Sequence, residues 1–272
     1  MNYKTWQEDF IKRVGESDGP WMKPWHPRNN VPHNILTGKP YKGINAVYLL
    51  TESVLREDPN CAFATFRQAK ELGSSVKPGA KGIPIVKMVT LMSKKDADAI
   101  KEKGLKDEEE IFAEERKLHK RFVPQIFYVF GAKDIEGYKP AEKTIVDHQL
   151  NDVLVKKKID AYIGKTSDNL VDGLHAAIKK SIQDVDAKKT NIEPLATTFA
   201  WMFVGQISGI TPEEQFFRQN AENFKKQWET TAKKSFPMAQ HMIVLAQKAT
   251  DNLVLKCPCL LPNVREEEYA LA

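Results

Sequence analysis

A chain of 272 residues with 42% hydrophobic content can bury a real core, so wholesale disorder is excluded, and its length allows one large domain or two ordinary ones. Lys and Arg total 41 against 36 Asp and Glu; the net charge of +5 permits an anionic partner and falls well short of a histone-like excess. Three cysteines are too few for a disulfide framework, and no apolar run approaches the ~20 residues of a membrane span.

Residues 1–17 alternate apolar and charged positions and predict a short amphipathic helix, ended by Gly19-Pro20. The N-terminal MNYKTWQEDF has no apolar signal core, and Cys61, Cys257 and Cys259 read as reduced thiols. Both features predict a soluble protein of the cytoplasm. Residues 20–43 are broken by proline and glycine, which predicts an extended, ordered loop. Ile44, Val47, Tyr48 and Leu55 recur at helical spacing, and Ala62–Ala64 reads as a short strand. Thr65-Phe66-Arg67-Gln68 has capping-box spacing and opens a short helix that Gly73 is placed to end. Residues 76–91 read as a Gly/Pro turn followed by a β-branched strand, 94–121 as a charged helical excursion, and 121–132 as an aromatic-rich strand.

From about Glu142 the texture is helical. Leu195 to Ile210 is apolar on nearly every face and predicts a buried central helix. Thr211-Pro212-Glu213-Glu214 is a second capping box, and Pro237 can open a last helix running to about Leu255. The predicted fold class is α+β: an N-terminal domain with a small antiparallel or mixed sheet and helices, then an all-helical half. The expected division is 1–140, 141–256 and a frayed or extended tail, 257–272. One continuous α+β domain with the late helices packed on the sheet is the alternative.

The segment Pro20–Asn45 carries Trp21, Trp25 and Tyr41, the cations Lys23, Arg28, Lys39 and Lys42, and no Asp or Glu. Rings interleaved with cations suit unpaired nucleic acid: bases stack on rings and phosphates meet positive groups. Trp21 and Trp25 can equally plug a core. Lys39, Tyr41 and Lys42 surround Gly38 and Gly43, whose backbone N–H groups could donate to a phosphate; a plain surface turn is the alternative. Phe66, Arg67, Gln68 and Lys70 lie at a helix start, where free N–H groups favour an anion. Phe66 is expected to turn into the core rather than touch a ligand. Lys77, Lys81 and Lys87 continue a run from Leu72 to Lys95 that has no acid. The lysine-rich stretches 94–121 and 142–189 carry nearly balancing acids and read as solvated faces.

These motifs carry a family resemblance. Trp21-Met22-Lys23-Pro24-Trp25, Asn34, Thr37-Gly38-Lys39-Pro40-Tyr41-Lys42-Gly43-Ile44-Asn45, Thr65 to Ala69, and Gly73, Lys77, Gly79, Lys81 and Gly82 follow one another in a characteristic order. Together they resemble the N-terminal single-stranded-DNA-binding domain of the ArdC-type anti-restriction proteins and the related plasmid primases. The strand ending Tyr128-Val129-Phe130 is similar to that family's closing strand. The likeness covers about half the chain. It implies a nucleic-acid-binding set comprising Trp21, Lys23, Trp25, Arg28, Asn34, Lys39, Tyr41, Lys42, Asn45, Thr65, Phe66, Arg67, Gln68, Lys70, Lys77 and Lys81.

In that family a zinc-metallopeptidase-like domain follows, marked by H-E-x-x-H on a helix. None of the six histidines here is followed by Glu, and none has a second His four residues on. His175 begins His-Ala-Ala-Ile-Lys. The resemblance therefore implies a degenerate, metal-free, zincin-like second half. Glu193 stands at the family's later ligand position, although a helix N-terminal carboxylate is the simpler reading. Cys257 and Cys259 lack the further ligand pair that a zinc quartet needs.

The expectation is a non-enzymatic, sequence-tolerant single-stranded DNA-binding protein of phage or plasmid replication, recombination or protection. It needs no catalytic residue, metal or cofactor and works in the cytoplasm of a bacterial host. RNA is not separated from DNA on these grounds. Two alternatives are an anti-restriction or adaptor protein acting through a protein partner, and a metallopeptidase. The tail Glu266–Ala272, acidic and then apolar, could recruit a partner or a protease.

Overall fold

The computed structural model describes residues 1–16, 31–58, 60–91, 98–99, 101–104, 121–138, 152–186, 193–210 and 225–261. Helix α1 (Tyr3–Glu16) buries Trp6, Phe10 and Val14, one stripe at four-residue spacing. The Trp6 indole N–H donates to the carbonyl of Pro84 at 2.9 Å, which satisfies its polar edge inside the core. After β1 (His33–Asn34) comes α2 (Gly43–Leu55), whose residues Ala46 to Ser53 are all buried. That run includes the carboxylate of Glu52, only 1% exposed. Arg13 Nη1 lies 3.1 Å and Arg56 Nε 2.8 Å from its oxygens, so the charge is paired as burial requires.

Strand β2 (Ala62–Ala64) leads into α3 (Phe66–Glu71), and β3 (Ile83–Leu91) and β4 (Arg121–Gly131) complete a four-stranded mixed sheet in the order β1-β2-β4-β3. β1 and β2 are parallel, and the other pairs are antiparallel. Ile83 lies opposite Val129 and Leu91 opposite Arg121, so β3 and β4 form one long ribbon. Directly opposed residues share a face. One face carries Phe63, Ile83, Ile85 and Val129 into the main core. The other carries Ala64, Phe130, Tyr128 and Pro84. There Ala64 meets Ala69 of α3 and Ile135 in a small second core.

The outer edge of β3 is blunted by a side chain. Asn45 Nδ2 donates to the Val86 carbonyl at 2.7 Å, and the Val86 N–H donates to Asn45 Oδ1 at 3.0 Å. The amide thus takes the place of a neighbouring strand and locks the first turn of α2 to the sheet.

The second half is helical: α4 (Asp152–Ile163), α5 (Leu170–Val185), α6 (Glu193–Ser208), α7 (225–234) and α8 (Phe236–Lys256). Asn169 caps α5, accepting the Asp172 N–H at 2.9 Å. As its composition predicts, α6 buries nearly everything from Leu195 to Val204. Pro237 sits in the first turn of α8, as predicted. The tail departs from expectation at its start. Cys257, Cys259 and Leu260 are buried around a 3-10 turn at Pro258–Leu260, because three apolar side chains there can join the core. Burial pushes the Cys257 thiol up to about 12.

The main core runs through both halves. Phe10 of α1 meets Trp228 of α7 at 5.9 Å and Phe236 of α8 at 5.9 Å, and also touches Tyr48 of α2 at 5.6 Å. No helix among the described residues is long and apolar enough to cross a membrane.

Candidate nucleic-acid interface

The turn between β1 and α2 is built on Asn34. Its Oδ1 accepts from the Leu36 N–H at 3.1 Å, the Thr37 N–H at 3.0 Å and the Thr37 hydroxyl at 3.2 Å. Gly38 takes a left-handed φ of +67°, and its N–H donates to the Asn34 carbonyl at 2.8 Å. The Gly43 N–H donates to Gln247 Oε1 of α8 at 3.3 Å. Both glycine amides expected to greet a phosphate thus have internal acceptors, and the free anion-facing groups of this turn are its lysines. Lys39 and Lys42 are exposed. Lys42 lies 3.9 Å from Asp251, a pair that solvent screens because both side chains are more than half exposed. Tyr41 is not a free ring: it packs edge-on against Phe63 at 6.3 Å and 78°, and burial raises its phenol pKa.

Helix α3 has the full capping box. The Gln68 N–H donates to Thr65 Oγ1 at 3.2 Å, and the Thr65 N–H donates to Gln68 Oε1 at 2.9 Å. The same Oε1 accepts from Asn34 Nδ2 at 2.9 Å. This shared acceptor fastens the 33–41 turn to the start of α3. The box also occupies donors that a phosphate at the helix start would use, so anion attraction here rests on Arg67 and Lys70.

Phe66 is 52% exposed, contrary to the expectation that it turns inward. The helix contacts the sheet through Ala69 on Ala64, a small-on-small approach that leaves no depth for a phenyl ring. Lys70 Nζ sits 4.9 Å over that ring. The Arg67 side chain is 90% exposed and pairs with Glu71, one turn on, at 2.9 Å.

Lys77 and Lys81 are exposed on the turn before β3. Lys77 Nζ donates to the Lys133 carbonyl at 2.7 Å, and the Lys81 carbonyl accepts from Arg56 Nη1 at 2.9 Å, so the turn is held to the sheet from both ends. Of the sequence-derived set, Asn34, Thr65 and Gln68 are joined by hydrogen bonds, with Phe66, Arg67, Lys70 and Lys39 on the same two elements. Asn45 is committed to Val86, and Lys42 leads toward α8. Trp21, Lys23, Trp25 and Arg28 lie outside the described residues, as does the tail Glu266–Ala272. Sequence reasoning passed over Tyr128, which is 45% exposed. Its signal was the alternation Tyr128-Val129-Phe130, in which buried Val129 marks its neighbours as facing the other way.

Residues 1–130 match the N-terminal domain of anti-restriction factor ArdC. The match spans just under half of the chain. Two Escherichia coli proteins named DNA primase TraC match the chain, one at 31% identity over 145 residues and the other at 32% over 141. Each match covers 50% of this chain but only 9% and 13% of the primases, so the chain spans about a tenth of their length. The fold extends further than the family segment. The crystal structure of metal-free ArdC from plasmid R388 superposes with a TM-score of 0.62 at 18% identity, covering 93% of this chain and 97% of that one. Its Mn(II)-bound form gives 0.66 at 18% identity, covering 92% and 97%. At that identity the likeness shows the fold alone, and it includes the helical half.

The Mn(II) of that relative raises the question of a metal here. His175 of α5 is followed by Ala176, with Lys179 four residues on. Its Nδ1 accepts the Trp201 indole N–H at 2.9 Å, and the two rings stack at 6.2 Å and 19°. Burial, and then Lys179, hold the imidazole below its ordinary pKa, which favours the neutral form that can accept. Among the described residues, no three His, Cys, Asp or Glu side chains converge as a metal-holding group. The described residues do not fit a Mn(II) centre.

Proposed function

We propose that the protein binds single-stranded DNA with little sequence preference and acts on plasmid or phage DNA as a coat during replication, recombination or protection from restriction. The observation that carries this reading is the Asn34–Gln68 hydrogen bond. It joins an acid-free turn to a helix bearing an exposed aromatic ring and two exposed cations, on elements that a packed core holds in place. Arg67 and Lys70 can neutralise phosphates, and Phe66 can receive a base face. The family matched by residues 1–130 is described through an anti-restriction factor, and the two matching relatives are named DNA primases. Both names concern DNA, which supports a DNA ligand. In this reading the chain binds nucleic acid and does not cleave it, and its sequence carries no H-E-x-x-H.

The test is fluorescence anisotropy with labelled oligonucleotides: single-stranded DNA, duplex DNA and single-stranded RNA, each at two salt concentrations. Single strands should bind more tightly than duplex, and log affinity should fall with log salt by about 0.7 per phosphate neutralised. Equal, salt-insensitive binding to all three, or none to any, overturns the proposal.

A further inference from the structure

We infer that Tyr128 of β4 is a second base-stacking residue, extending the single-strand surface from α3 onto the open sheet face; the inference rests on the single-strand reading above.

Tyr128 and Phe130 are two apart on β4 and share the face that α3 covers at Ala64. Phe130 lies beside that cover and is half-buried, whereas Tyr128, one pleat further out, leaves 45% of its surface exposed. Its hydroxyl makes no hydrogen bond among the described residues, so nothing polar recorded there accounts for the ring's position.

Gly82 does account for it. A Cβ at this residue would lie 3.2 Å from both Cβ and Cδ1 of Tyr128 and 3.3 Å from Cζ of Phe130. The backbone at Gly82 therefore rests close against both rings, at a separation that an added side chain would crowd. Tyr128 is braced on one side and open on the other. A braced ring loses little rotamer freedom when a base settles on it, which favours binding.

The charge around it suits the same ligand. Lys81 adjoins Gly82 and is exposed, Lys77 lies on the same turn, and the chain from Leu72 to Lys95 has no acidic residue. An exposed π-face beside cations, with no carboxylate in the adjoining turn and strand, fits an unpaired base whose phosphate lies over the turn. A stacking site is sequence-tolerant, so it agrees with a coat rather than a reader.

The test compares Tyr128→Thr, Tyr128→Phe and Gly82→Ala with the unaltered protein, using labelled single-stranded DNA and duplex DNA. Thr suits an exposed strand position but has no ring face. Tyr128→Thr should weaken single-strand binding about 5-fold or more, with duplex binding unchanged. Tyr128→Phe should bind as the unaltered protein does, because the face and not the hydroxyl is used. Gly82→Ala must push the rings aside by a few tenths of an ångström and should show a smaller loss of the same kind, with thermal melting reporting that each variant is folded. Single-strand binding by Tyr128→Thr equal to that of the unaltered protein overturns the inference and leaves the broader reading intact. A loss shared equally by duplex also overturns it. Failure of the unaltered protein to bind any single strand removes the broader reading itself.

Discussion

Asn34→Asp separates the two jobs of Asn34. An aspartate keeps the Oδ1 acceptor that closes the turn onto Leu36 and Thr37, but it loses the amide that donates to Gln68 Oε1 at 2.9 Å. In place of that donor it sets a carboxylate oxygen against an amide oxygen. Gln68 can turn its own amide to donate instead, yet the Thr65 N–H then loses the acceptor it holds at 2.9 Å, and the capping box breaks. Either outcome forfeits one or two hydrogen bonds at a half-buried site, each contributing about 0.5–1.5 kcal/mol. The expected destabilisation is about 1–2 kcal/mol, a fall in melting temperature of roughly 2–8 °C for a chain of this size. The turn and α3 would no longer be registered, so single-strand affinity should fall as well. Asn34→Ala should cost similar stability through the turn, without adding a charge. Differential scanning fluorimetry reads the first effect and anisotropy the second. An Asn34→Asp protein that melts and binds like the unaltered one would refute the view that this hydrogen bond organises the interface.

Three further outcomes follow from other parts of the molecule. Arg67→Ala removes only an exposed pair worth about 0.3–0.5 kcal/mol, so melting should hardly move, whereas the salt dependence of single-strand binding should lose about 0.7 in slope; an unchanged slope places Arg67 off the path. His175 is held neutral, its folded pKa below the 6.5 of a free histidine. The unfolded chain therefore binds the proton first, and the stability this residue supports is present above pH ~6.5 and lost as pH falls. His175→Gln should flatten melting temperature between pH 7 and 5, and an equally steep fall in that variant assigns the loss to other groups. Phe10→Ala opens the aromatic junction and should cost about 3–5 kcal/mol. Because the core is continuous, denaturant unfolding should remain one transition for the whole chain; two resolved transitions would show halves that unfold separately.

Local structure was legible where short-range chemistry decides it. Ala62–Ala64, the Thr65 capping box, the stop at Gly73, the strand expected over 121–132 and found at Arg121–Gly131, and the proline-led α8 all follow from residue types at fixed spacing. The tertiary partners of those elements were not. Phe66 reads as core by composition, and only the close approach of Ala69 to Ala64 shows that there is no space beneath it. Asn45 reads as a polar contact in a basic motif, but its role is to complete the edge of a strand 41 residues away. Tyr41 reads as a stacking ring and instead floors the turn on Phe63. In each case the residue type was informative and its direction was set by a long-range neighbour, which no local pattern encodes.

The same long-range packing explains why a helical half accompanies this surface. The 42–43 end of the turn is seated on α8 through the Gly43–Gln247 hydrogen bond, while α1 is gripped by Trp228 and Phe236 from the same side. α1 in turn holds β3 through Trp6 and Pro84. The sheet that carries Tyr128 and the turn that carries Lys39 are therefore both anchored in the helical core. Short strands and a six-residue helix have too little buried area of their own to hold their side chains in register. The helices supply that area.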